Sequence, residues 1–239
     1  MGHYAAQRTW LRLGLFGFLL LLAVPACGGG GGGDPESEGP SVRTLDWAHP
    51  QGGDHTDEGM GVAARADGSF VVVGEFHNTM TLGEGEPNET TLTTTANAKG
   101  LYIAAYAGNG VLLWAKFLGS TSLPFVEGVA AFPDGSFVVA GIIQEDLTLE
   151  VGEPDEITLH SVGVFDGFLA HYGPGGDLDW ARRDGGDGSL FFDDVATLVD
   201  GSFMTSGSYT GLTTFGEGDP AEVGVMDAGG GDAFVAHYL

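Results

Sequence analysis

An all-β fold made of three copies of one antiparallel unit is what this sequence predicts, and three observations carry that prediction. Asp67-Gly68-Ser69-Phe70-Val71-Val72-Val73-Gly74 recurs as Asp134-Gly135-Ser136-Phe137-Val138-Val139-Ala140-Gly141 and as Asp200-Gly201-Ser202-Phe203-Met204-Thr205-Ser206-Gly207, at steps of 67 and 66 residues. Trp47, Trp114 and Trp180, each followed by Ala, keep the same steps. Tyr106, Tyr172 and Tyr238 each close an apolar run, 66 residues apart. Three independent markers in one register establish an internal repeat ahead of any assignment of local structure.

The second copy defines the elements of the unit. Residues 112–117, 128–132, 137–142 and 168–172 are short, rich in aromatic and β-branched side chains, and bounded by Gly, Pro or Asp, so each reads as a strand. Asp134-Gly135 between the second and third predicts a tight hairpin with a type I′ turn, which needs positive φ at two positions. Residues 147–162 are long enough for an extra hairpin between the third and fourth strands. Four antiparallel strands plus an insertion, restarting every 66 residues or so, predict an array of three β-propeller-like blades over residues 42–239. The carboxyl-terminal copy stops at His237-Tyr238-Leu239 without a following Trp strand, whereas the body begins on Leu45-Asp46-Trp47-Ala48. The amino-terminal strand is therefore expected to complete the last blade and cover an edge otherwise exposed. Propellers carry about four to eight blades. Three arrangements stay open: a compact three-bladed ring, a homodimer forming six blades, or a piece of a longer parent.

Ahead of the repeats, Arg8 and Arg12 precede the apolar run 13–24, the length of a signal-peptide core and short for a membrane span. Residues 1–26 are expected to be a cleaved signal peptide. Residues 27–41, with Gly28 to Gly33 followed by Asp34-Pro35-Glu36-Ser37-Glu38-Gly39-Pro40, have no apolar side chain to bury after Cys27 and read as a flexible tether with a reach of about 20 Å. Ala23-Val24-Pro25-Ala26-Cys27 resembles the lipobox of bacterial lipoproteins. That resemblance implies a diacylglyceryl group on Cys27 and a firm membrane anchor, and Gly28 after the cysteine is similar to the pattern of lipoproteins sent to the outer membrane or cell surface. The other reading is an ordinary signal peptide cut after Ala26, with Cys27 an incidental thiol.

Composition narrows the partners. Thirty-three acidic residues against eight Lys and Arg give a formal net charge of −25, which opposes a nucleic-acid backbone. Cys27 is the single cysteine, so no intramolecular disulfide forms and the fold must be held by packing and strand pairing.

The order Gly-x-Leu-x-Trp-Ala, then an apolar strand with Asp-Gly-Ser-Phe-Val-Val-x-Gly, then Asp-x-Phe-x-Ala-x-Tyr resembles the bacterial SBBP-type β-propeller repeat over residues 42–239. The resemblance implies the fold and export, and is nearly silent on activity. The first copy departs from it, with Lys99-Gly100-Leu101-Tyr102 where Asp166-Gly167-Phe168 and Asp232-Ala233-Phe234 stand later.

Candidate chemistry is carboxylate chemistry. Asp184, Asp187, Asp193 and Asp194 form the densest acidic group and the best candidate for a Ca²⁺ site, an ion that takes about six to eight oxygen ligands. Glu84-Gly85-Glu86-Pro87, Glu150-Val151-Gly152-Glu153-Pro154 and Glu217-Gly218-Asp219-Pro220 recur in the insertion, where Gly and Pro already account for a turn. His171 and His237 share one repeat position, which reads as packing, since zinc would need further His or Cys. No Gly-x-Ser-x-Gly, His-Glu-x-x-His or phosphate-binding Gly-x-x-x-x-Gly-Lys is present. The expected function is a non-catalytic binding or scaffold module at the cell envelope, with a protein or glycan ligand. The alternative is an envelope hydrolase of a glycan or other polymer, using carboxylates at the propeller mouth.

Overall fold

The computed structural model describes residues 44–94, 98–121 and 125–239; the expected signal peptide, Cys27 and the tether lie outside the described residues. The first repeat contributes β1 (Glu58–Ala64), β2 (Phe70–His77), β3 (Thr79–Leu82), β4 (Thr90–Thr93), β5 (Lys99–Tyr106) and β6 (Leu112–Thr121). The second contributes β7 (Phe125–Ala131), β8 (Phe137–Ile143), β9 (Leu147–Leu149), β10 (Ile157–Leu159), β11 (Asp166–Tyr172) and β12 (Leu178–Gly186). The third contributes β13 (Ser189–Thr197), β14 (Phe203–Thr210), β15 (Leu212–Phe215), β16 (Val223–Met226) and β17 (Asp232–Tyr238). The described residues are all-β, and every strand pairing within the sheets is antiparallel.

The sheets follow the repeat. The first has the order β1-β2-β5-β6, the second β7-β8-β11-β12, and the third β13-β14-β17. The expected insertion hairpins form as β3-β4, β9-β10 and β15-β16, and the last of these extends the second sheet beyond β12.

Alternation of side chains sets the packing. On β8, Phe137 and Val139 face a cluster shared with Val71, Val73, Leu101 and Ile103 of the first sheet. Val138 and Ala140 face a second cluster with Leu190, Phe192 and Val195 of the third. The middle sheet is thus buried on both faces, which is why β8 is apolar at almost every position. β7 packs between β1 and β13, so the first strands of the three sheets lie side by side. Each of these strands is bulged at the same repeat position, between Gly59 and Gly61, Val126 and Gly128, and Phe192 and Asp194.

The glycine that ends each eight-residue motif is required by a close approach. A Cβ on Gly74, Gly141 or Gly207 would lie 2.1, 2.3 or 1.9 Å from the carbonyl oxygen of Glu58, Phe125 or Phe191 on the neighbouring strand, and beside a ring of Tyr102, Phe168 or Phe234.

Two expectations are corrected. The Asp-Gly hairpins are not type I′ turns. Gly135 N donates to Phe132 O (3.0 Å) and Phe132 N to Ser136 O (2.8 Å), and Gly135 alone has positive φ (+88°). This is a type I turn followed by a left-handed glycine and a bulge. Asp134 stays out of the left-handed region because its carboxylate accepts from Ser136 N (2.9 Å) and Ser136 Oγ (2.6 Å). Asp67 and Asp200 do the same with Ser69 and Ser202.

The second correction concerns the amino-terminal strand. Residues 44–51 form no strand, and among the described residues β17 pairs with β14 alone. Trp47 stacks instead on Phe70 of the first sheet (5.7 Å, 14°). The physical reason is the order of packing: the first and third sheets occupy opposite faces of the second, which keeps the head of the chain on a different face from its tail.

Candidate functional site

Each sheet begins with the same aromatic ladder. Trp47, Phe70 and Tyr106 stack at 5.7 and 5.3 Å; Trp114, Phe137 and Tyr172 at 6.3 and 5.4 Å; Trp180, Phe203 and Tyr238 at 6.1 and 4.7 Å. In the second and third ladders the Trp comes from the last strand of the preceding sheet, and the Phe and Tyr come from paired strands of the next. The Trp residues therefore act as covers between neighbouring sheets. Residues 45–53 stand toward the first sheet as the last strand of one sheet stands toward the next: Trp47 caps Phe70, and Gly52 pairs with Thr81 of β3 (3.0 and 3.3 Å) as Gly185 and Gly186 of β12 pair with Thr214 and Thr213 of β15.

The foot of each ladder is a tyrosine hydroxyl whose surroundings differ from copy to copy. Tyr106 donates to Gln51 Oε1, and burial pushes its hydroxyl up to about 12. Tyr238 donates to Asp184 Oδ2 (2.6 Å), and burial followed by that carboxylate's charge pushes its hydroxyl well above the ordinary value. Gln51, Leu118 and Asp184 share one repeat position, so the middle junction has an apolar side chain where the others have an acceptor. There the polar group comes from the insertion. Glu150 stands where the other copies have Gly83 and Gly216, and it keeps their left-handed backbone at φ +52° against +64° and +72°. Its buried carboxylate lies 3.5 Å from Lys116 Nζ, and desolvation raises its pKa against the pull of that ammonium. Tyr172 Oη and Glu150 Oε1 are both buried with no hydrogen-bond partner among the described residues.

The sequence-predicted metal residues do not converge. Asp184 is fully buried and committed: it accepts from Gly216 N (2.9 Å) and Tyr238 Oη, with Arg182 Nε at 3.5 Å. Asp187, Asp193 and Asp194 are exposed. Among the described residues no group of three or more His, Cys, Asp or Glu side chains is arranged to hold a metal ion.

The acidic insertion turns are also built into the fold. Glu89, Glu156 and Glu222 accept from Gly85 N, Gly152 N and Gly218 N at 2.7, 2.7 and 3.0 Å, closing the turn in every copy. Glu86 accepts from Leu112 N (2.6 Å), while Asp219 and Glu217 pair with Arg182 and Arg183. Asp166 is fully buried and gathers Val162 N (2.6 Å), Gly163 N (3.1 Å) and Ser161 Oγ (3.1 Å). His171 stacks on Trp180 (5.5 Å, 9°) and bonds Asp179 (2.9 Å), and His237 bonds Ser202 Oγ (2.9 Å).

A groove of about 830 Å³ lies on the third sheet, lined by Trp180, Phe203, Phe234, Tyr238 and the rim pair Arg182–Asp219. A smaller hollow of about 320 Å³ lies beside Trp47, His49 and Gln51. Sequence reasoning missed the groove, which runs along β17, an edge with no second partner strand among the described residues. It also missed the Gln51, Leu118 and Asp184 position and the Glu150 substitution, although aligning the three copies at that depth displays both. No protein-family model and no curated protein matches this sequence.

Proposed function

We propose that this chain is an exported, lipid-anchored propeller-type module that works as a non-catalytic binding or scaffold element at the cell envelope. The observation that carries the reading is the engagement of its repeated polar groups. The aspartates of the Asp-Gly-Ser turns, the turn-closing glutamates, and His171 and His237 each hold a backbone or side-chain partner of the fold. Repetition of these residues thus serves construction, and three near-equal units with side-by-side first strands supply a platform. The lipobox-like segment ending in Cys27 and the glycine-rich stretch after it support tethering of that platform to a membrane, with its acidic surface presented to protein or glycan partners.

Intact-mass analysis of the mature protein from a membrane fraction tests the anchor. The expected species lacks residues 1–26 and carries acyl mass on Cys27, and Cys27→Ala moves the protein to the soluble fraction. An unmodified Cys27 in membrane-bound protein overturns the reading.

A further inference from the structure

We infer that β17 pairs with residues 45–53 of a second copy of this chain, so that two three-sheet bodies join head to tail into one six-sheet ring. The inference rests on the propeller reading above and names the partner that completes it.

The two ends of the body carry complementary unmet burial. At the tail, Val235 is 69% exposed, whereas Ile103 and Leu169 at the same repeat position are fully buried. Met204 is 38% exposed, and its counterparts Val71 and Val138 are fully buried. At the head, Val62 is 68% exposed against 8% and 6% for Val129 and Val195, and Leu45 is 83% exposed against 0% and 6% for Leu112 and Leu178. These positions already form two junctions inside the chain. Val71 and Ile103 meet Val129 between the first and second sheets, and Val138 and Leu169 meet Val195 between the second and third. Met204 and Val235 facing Val62 would be the third instance of one interface.

Strand pairing gives the same answer and a register. β6 pairs with β5 through Ala104 and Ala115, and β12 pairs with β11 through Ala170 and Ala181. The corresponding residues are Ala236 on β17 and Ala48 in the head segment, which carries the same Leu-x-Trp-Ala pattern as β6 and β12. β17 has no second partner strand among the described residues, and its groove is lined by Phe203, Phe234 and Tyr238, whose counterparts Phe137, Phe168 and Tyr172 are fully buried in the middle sheet. A second copy fits better than the chain's own head. The head segment is seated on the first sheet, whose packing face on the middle sheet is opposite to that of the third, and rings of this kind take about four to eight blades. Two such bodies make six, and a heterologous contact that closes makes a discrete ring and no filament.

The test uses the full chain carrying Cys27→Ala, Ala48→Cys and Ala236→Cys. Directly opposed antiparallel residues lie about 4.5–5.5 Å apart, within disulfide reach. Oxidation is expected to give a dimer on a denaturing gel that reductant dissolves, and light scattering of the Cys27→Ala protein is expected to give twice the mass of one chain. Val235→Asp, at a position exposed in the single body, is expected to halve that mass with an unchanged circular dichroism spectrum. A cross-link within one chain, no cross-link, a ladder of larger species, or a monomer before the Val235→Asp change would each overturn the proposal. None of these outcomes bears on the lipid anchor, which is read from the mass of Cys27 in the unaltered protein.

Discussion

Leu118 and Glu150 form a compensated pair, and exchanging them for the residues of the third junction tests whether the repeat position or the side chain sets the design. Glu150→Gly relieves a left-handed backbone costing about 1 kcal/mol for a residue with a Cβ, and glycine's extra freedom in the unfolded chain takes back about 0.5–1 kcal/mol. That variant is expected within about 1 kcal/mol of the parent. Leu118→Asp alone removes a fully buried leucine, about 2–3 kcal/mol, and sets a second desolvated carboxylate near Glu150, for a total of about 4 kcal/mol or more. With both changes, Asp at 118 gains the acceptor role that Asp184 has toward Gly216 N (2.9 Å) and Tyr238 Oη (2.6 Å), worth about 1.5–3 kcal/mol per charged hydrogen bond. The expected coupling is about 3 kcal/mol, read by urea denaturation followed through tryptophan fluorescence in a double-mutant cycle. Additivity within about 0.5 kcal/mol would refute the reasoning. The pH dependence has a definite sign. Burial raises the Glu150 carboxyl, so the folded state holds that proton more tightly than the unfolded chain does. Its contribution is complete below the ordinary glutamate range and is lost as pH rises through the raised value. Glu150→Gln is expected to flatten stability over that window; an unchanged slope would show that Glu150 is not the group responsible.

Two further outcomes follow from the geometry. Gly141→Ala drives a Cβ to 2.3 Å from both Phe125 O and the Phe168 ring, for an expected loss of about 3 kcal/mol, whereas Gly152→Ala at φ +83° in open space costs about 1 kcal/mol. Equal thermal shifts for the two would contradict the close-approach account. Because Asp184 is occupied by Gly216 N, Tyr238 Oη and Arg182, a chelator is expected to leave the melting temperature unchanged, and a clear drop would restore calcium to the third junction.

The repeat, its strands and the positions of its turns were legible from the chain because they depend on local properties: period-two burial, β-branched runs and Gly-Asp punctuation. The hairpin at 147–162 was legible for the same reason, and β9 and β10 occupy it. Turn type was not, because the choice between one left-handed residue and two rests on where the Asp134 carboxylate finds donors. The acidic cluster around Asp184 looked like a ligand set because sequence shows proximity along the chain and nothing of direction. Packing turns Asp184 inward to a tyrosine from another strand and leaves Asp193 and Asp194 in solvent. The fate of residues 45–53 was decided only in three dimensions, since three sheets stacked through opposite faces of the middle one carry head and tail apart. Alternation along a strand is written residue by residue; which edge meets which is a sum over contacts that no local stretch contains.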